Sequence, residues 1–139
     1  MVIHRNVDPG TAVDARHPLL AEGIRLFNAE EFFEAHEVIE DLWQEFRGAE
    51  RDLLKGVIQA AVALEHHRRG NHRGFRSVVS TASGYLRVHS PDGGGLDVAG
   101  LVRDLDAFGA AVERGESPPY PRLLLRGTTP PRGAEGEPR

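Results

Sequence analysis

The amino-acid sequence predicts an all-α protein, a compact bundle of about five helices in which most neighbours are antiparallel. Apolar residues recur at helical spacing from about Leu19 to Arg114. Glycines and prolines interrupt the chain where these periodic segments end, as at Gly48, Gly70 and 90–95. No segment alternates apolar and polar residues as a half-buried strand does.

The helices follow one another with recognisable start and stop signals. Pro18 suits the first turn of a helix, Gly48 and Gly70 suit positions just past a helix end, and Asn71 suits an N-cap. The predicted helices cover approximately residues 18–27, 31–47, 50–69, 72–89 and 96–114. The short connections make the second to fourth helices antiparallel neighbours.

The chain of 139 residues is predicted to form one domain over residues 18–126. Residues 1–17 are polar and indicate an irregular arm, and residues 127–139 are rich in proline and glycine and indicate a disordered tail. Prolines exclude a helix after Gly115, but Tyr120 and the leucines at 123–125 could hold this segment on the bundle.

Composition excludes several functions. The chain has no cysteine, which excludes disulfides, thiolate metal ligands and a cysteine nucleophile. Its apolar runs are far shorter than the roughly 20 residues of a membrane span, and residues 1–10 do not form a signal peptide. We therefore expect a soluble cytoplasmic protein. The net charge of −4 argues against general nucleic-acid binding.

The stretch 32–43 contains the main candidate chemistry. A helical projection places one continuous apolar arc on this helix: Phe32, Ala35, Ile39, Leu42, Trp43 and Phe46. His36 lies at the edge of the arc beside Trp43, and Glu40 follows one turn later. Glu34, Asp41 and Glu45 form the opposite, solvated side.

The third predicted helix is apolar nearly all round and should be the most buried helix. Lys55, Gln59 and His66 line one stripe of it and could face the second helix. The candidate ligand-binding or polar-core residues are Glu34, His36, Glu37, Glu40, Trp43, Lys55, Gln59 and His66.

Three interpretations of this cluster stay open. His36 could hydrogen-bond Glu40 or Gln59 as part of the bundle, because buried polar groups need partners. The cluster could instead form a small-ligand pocket. Finally, His36, Glu37 and Glu40 could ligate a divalent metal, although His-Glu-x-x-Glu lacks the second histidine of the zincin motif.

Two further patterns stand out. Basic residues gather at 66–69, 72–73 and 76, where they could bind phosphate or an acidic partner, or could simply complement the helix dipole. Residues 27–35 and 69–75 also resemble two starts of a tetratricopeptide-type helical hairpin, spaced by about 40 residues, although a solenoid normally needs at least three repeats.

The run 26–43 resembles the signature of the small bacterial and archaeal proteins grouped as domain of unknown function 309. Residues 54–64 and 69–71 resemble the second block of that family, so the likeness covers roughly 18–90. The resemblance implies a compact helical fold and assigns no catalytic role. The family motif maps onto Phe32, Glu34, His36, Glu37, Glu40, Trp43 and Gln59. Lys55 replaces a frequent glutamine, and its charge would oppose a metal ion or neutralise Glu37 or Glu40.

We therefore expect a non-enzymatic module that binds a ligand or partner at a polar pocket around His36 and Glu40, without a cofactor. The alternative is a metal-dependent, hydrolase-like enzyme that uses His36, Glu37 and Glu40. Apolar faces on several helices allow a homo-oligomer, and the sequence does not identify another partner.

Overall fold

Five α-helices account for most of the residues, 14–48 and 50–126, that a computed structural model of the chain describes. They are α1 (Pro18–Asn28), α2 (Phe32–Glu45), α3 (Arg51–Arg68), α4 (His72–Val88) and α5 (Val98–Glu113). Over the described ranges the only β feature is an isolated bridge between Leu96 and Leu125. The all-α prediction is confirmed. Most of the predicted N-terminal arm (1–13) and the whole predicted tail (127–139) lie outside the described residues.

Helix α3 lies at the centre of the fold, as predicted. It packs against α2 on one side and α4 on the other, while α1 packs on α2 and α5 on α4. Ten of its 18 residues are buried, and its apolar side chains join the core contributed by the other four helices. None of the helices in the described part of the chain is long and apolar enough to cross a membrane.

Helices α1, α3 and α5 end in the same turn. The second residue after each helix adopts a left-handed backbone, with φ of 64° at Glu30, 82° at Gly70 and 81° at Gly115. The next N–H donates to the carbonyl five residues earlier, which is the Schellman closure of a helix end. The hairpins α1–α2 and α3–α4 therefore share a turn geometry, which explains why their sequences resemble each other.

Two helix boundaries differ from the predicted ones. Helix α2 ends at Glu45 rather than Arg47, because Phe46 takes an extended backbone and buries its ring in the core. Helix α5 begins at Val98 rather than near Leu96. Asp97 caps it by accepting the Gly100 N–H, and Leu96 is extended where it pairs with Leu125.

The segment after α5 packs across the bundle, as its leucines and Tyr120 predicted. We call residues 116–126 the strap. The Asn28 side chain donates to the Leu123 carbonyl at 2.9 Å and accepts the Leu123 N–H at 2.7 Å. The Tyr120 ring contacts Phe32 edge-on at 5.2 Å. The strap therefore joins the α1–α2 turn to the end of the chain's helical part.

Candidate functional site

Most of the predicted site residues lie along one half-buried surface. Helix α3 leaves a narrow stripe partly exposed at Lys55, Gln59, Val62 and His66, and α2 borders it with His36, Glu40 and Trp43. Glu34 and Glu37 are exposed. We call the surface formed by Phe33, His36, Glu37, Glu40 and Trp43 with the adjoining edge of α3 the outer α2–α3 face.

The His36 ring is oriented by its own helix. Its Nδ1 lies 2.6 Å from the Phe33 carbonyl, which can only accept, so Nδ1 carries the proton. The Phe33 ring contacts it edge-on at 5.0 Å. In the neutral ring Nε2 is then unprotonated, and it lies 3.9 Å from Glu40 Oε1. At 3.9 Å this contact is longer than a hydrogen bond, and it is an ion pair only when the ring is protonated.

Trp43 is held by two cations. The Arg51 guanidinium lies 3.8 Å and the Lys55 ammonium 4.6 Å from the ring centroid, within the range of cation–π attraction. Arg51 Nε also donates to the carbonyls of Trp43 and Phe46, which satisfies the C-terminal end of α2. Lys55 therefore contacts an aromatic ring, and the expectation that it neutralises Glu37 or Glu40 is not what the structure shows.

Within the described residues, neither Gln59 nor His66 hydrogen-bonds a side chain of α2. The Gln59 side chain is partly exposed and makes no hydrogen bond to a described residue, so it reaches the surface. The His66 ring packs on Gly74, and its Nδ1 lies 3.1 Å from Asn71 Nδ2. Asn71 in turn caps α4 by accepting the Gly74 N–H. His66 therefore supports the α3–α4 turn.

The carboxylates of α2 are largely unpaired. Glu34, Asp41 and Glu45 are exposed, which confirms the predicted solvated side. Neither these three nor Glu37 forms an ion pair with any residue in the described ranges. Near the start of the helix, the Arg69 guanidinium lies 5.9 Å from the Phe33 ring centroid.

Glu65 is the buried charge that sequence reasoning missed. Its carboxylate is hydrogen-bonded by both Arg68 and Arg69. Burial alone would raise the pKa of Glu65, but these two guanidinium groups hold it below its usual value. Arg68 and Arg69 follow Glu65 by three and four residues, the spacings at which side chains on a helix are neighbours. This spacing could have predicted the ion pairs from the sequence.

The candidate metal ligands that the structure places together form a pair. The described residues bring together no three histidine or acidic side chains that could hold one ion. What it does bring together is the pair His36 and Glu40, with Glu37 exposed one residue after His36. This pair could supply two ligands, or a base with a neighbouring carboxylate.

Residues 20–78, from α1 to the middle of α4, match the model of the family described as a domain of unknown function, DUF309. This segment is similar to the DUF309 family. It contains every predicted site residue, and it confirms the resemblance seen in the sequence.

Two relatives are each similar to part of the chain. Over 65 residues, 46% of this chain, it is 35% identical to an "Uncharacterized protein" of Aquifex aeolicus (strain VF5) and covers 20% of it. Over 59 residues, 42% of this chain, it is 40% identical to "Uncharacterized protein YpuF" of Bacillus subtilis (strain 168) and covers 34% of it. The chain thus spans between a fifth and about a third of the length of these relatives. Their names state no activity.

Proposed function

We propose that this protein is a non-enzymatic binding module that engages a basic partner segment through the outer α2–α3 face. The observation that carries the proposal is an acidic helix surface between two aromatic rings. Phe33, 43% exposed, lies at one end and half-buried Trp43 at the other, about 15 Å apart along the helix. Glu37 and Glu40 lie between them.

The charge pattern supports a basic partner. Among the described residues, eight carboxylates outside α2 form ion pairs with arginine: Asp14, Glu22, Glu65, Asp92, Asp104, Asp106, Glu113 and Glu116. Those of α2 do not, so their field extends into solvent, where it would attract and orient a lysine- or arginine-rich segment.

The aromatic residues supply the other half of the proposed interface. Tryptophan and arginine are enriched among residues that dominate binding energy. The Trp43 ring contacts Arg51 and Lys55, and the Phe33 ring lies near Arg69 and His36. These contacts orient both rings before a partner binds. Less side-chain ordering is then needed on binding. We place this module in the cytoplasm, in keeping with a chain that has no cysteine.

A charge reversal on the proposed face tests this function. Proteins captured from a cell extract by the wild type, but not by Phe33→Ala/Glu37→Lys, would be purified and titrated directly. Trp43 is the chain's single tryptophan, so its emission reports on this face. We expect Glu37→Lys to raise the Kd at least about tenfold, a loss of about 1.4 kcal/mol.

Glu45→Lys is the matched control. It makes the same charge change on the same helix, at an exposed and unpaired carboxylate on another side. It should leave the Kd within about twofold, apart from a general electrostatic effect that salt removes. Equal weakening by the two reversals, or none by either, would contradict the proposal. A second copy of the chain as the captured partner would identify the face as a homo-oligomer contact.

A metal-dependent enzyme is the second candidate, and the orientation of His36 favours it. Metal-ligating histidines commonly donate their other ring N–H to a carbonyl, as Nδ1 does here to Phe33, leaving Nε2 for a metal. Metal analysis of purified wild type, His36→Ala and the control His72→Ala separates the two candidates. One equivalent of metal lost only in His36→Ala supports the enzyme, and a metal-free wild type after metal-supplemented expression opposes it.

A further inference from the structure

A second polar site lies away from the outer α2–α3 face, between the α3–α4 turn and the end of α5. It is an open cavity of about 650 Å³, within the range of small-molecule sites. Its ionisable lining residues are four bases and two acids: His67, Arg68, His72, Arg76, Glu113 and Glu116. All four of these bases belong to the basic segment, 66–69, 72–73 and 76, that the sequence singled out, and the binding function above uses none of them.

The His67 side chain in this cavity is held in place by several contacts. Its Nδ1 lies 3.0 Å from the Tyr120 hydroxyl of the strap. Phe75, Phe108 and His72 surround the ring edge-on at 4.9 to 5.6 Å between centroids. With Nδ1 occupied, Nε2 is the polar atom of His67 that remains for a ligand.

The protonation states of His67 and Tyr120 leave an N–H group that can donate to an anion. Burial, and secondarily His72, lowers the pKa of His67, so the ring is neutral at neutral pH. Burial also raises the pKa of Tyr120, so its phenol keeps a proton that it can donate to Nδ1. In that arrangement Nε2 carries the remaining ring proton, which it can donate to a ligand in the cavity that His67 lines.

The two acids of the lining are already engaged. Glu116 accepts two hydrogen bonds from Arg114, at 2.9 and 3.1 Å. Glu113 lies 3.6 Å from Arg76, a longer contact that uses only part of the guanidinium. Arg76 has five N–H donors and a side chain that is 56% exposed, so most of its donors remain free.

We propose that this cavity binds a small oxyanion, the phosphate or carboxylate group of a small molecule, between His67 Nε2, His72 and Arg76. Guanidinium and imidazole N–H groups make short, charge-assisted hydrogen bonds to such oxygens. The site is separate from the proposed partner face, since no residue of the outer α2–α3 face lines the cavity.

The test is a titration of the full, isotope-labelled chain followed by nuclear magnetic resonance. Sodium phosphate is added at constant ionic strength, balanced with sodium chloride, and acetate is titrated in a parallel arm. We expect saturable shifts of the Gly70 and Gly115 amides, which border the cavity. Tighter binding of phosphate than of acetate would identify a phosphate-bearing ligand, and the reverse order a carboxylate.

Arg76→Gln should raise the Kd at least about tenfold, the effect of losing one charge-assisted contact of about 1.4 kcal/mol. Arg103→Gln is the control, because Arg103 is an exposed arginine on α5 outside the cavity. Both positions are exposed, and the amide spectrum of each variant reports whether it is folded. Shifts that chloride alone reproduces, or an affinity unchanged in folded Arg76→Gln, would overturn the proposal.

Discussion

Replacing Asn28 with alanine should loosen the strap and lower the free energy of unfolding. Both polar atoms of the Asn28 amide bond the backbone of Leu123, 95 residues later. Alanine would leave the Leu123 N–H and carbonyl without partners beside a buried leucine side chain. An unsatisfied buried group costs about 1–3 kcal/mol. Because Asn28 is partly exposed and water can replace some bonding, we expect a total loss of about 2–3 kcal/mol.

The assay is urea denaturation followed by Trp43 emission, with two comparison variants. Asn28→Asp keeps an acceptor for the Leu123 N–H but loses the donor to its carbonyl, so it should fall between wild type and Asn28→Ala. Arg122→Ala changes an exposed strap residue and should stay within about 0.5 kcal/mol of wild type. An Asn28→Ala protein as stable as Arg122→Ala would refute this account of the strap.

Three further perturbations test the fold. Gly23→Ala should cost about 1–3 kcal/mol in urea unfolding, since its Cβ would overlap the Ile39 side chain; an unchanged midpoint would contradict this close approach. Glu30→Gly should stabilise by about 0.5–1 kcal/mol, because relief of a left-handed backbone exceeds the added unfolded-state entropy; the control Ala29→Gly should destabilise. The lowered pKa of His67 means that the unfolded chain binds the proton first. Stability should therefore fall as pH drops below the ordinary value of 6.5, and a His67→Gln variant with the same acid slope would contradict this assignment.

The sequence predicted the helices and the buried side of α2 because both depend on local patterns. Apolar spacing alone places Phe32, Ala35, Ile39 and Leu42 in the core, where the structure has them. The end of α2 was harder, since the extended backbone of Phe46 depends on a core that the whole bundle forms. Helix periodicity does not report where such tertiary packing overrides it.

The side-chain contacts of the candidate site were harder to predict from the sequence. Helical spacing placed His36 near Glu40 correctly, but the bond to the Phe33 carbonyl depends on a side-chain rotamer. The contact of Lys55 with Trp43 requires the register between α2 and α3. Contacts between residues far apart in the sequence are harder still to predict, because local spacing does not indicate which segments come into contact.

The distant pairs of the strap illustrate this limit. Tyr120 was predicted to attach to the bundle, yet its partner His67 lies 53 residues away. Nothing in the local sequence around either residue distinguishes that pairing from a contact with another helix.

The outer α2–α3 face is tested most directly by mapping the amide and indole shifts of the labelled chain on addition of its purified partner. Binding as proposed would shift the Phe33 and Glu37 amides and the Trp43 indole most strongly, and the shifts would weaken as salt is added. Shifts confined to α4, α5 and the strap, with the Trp43 indole unmoved, would contradict it.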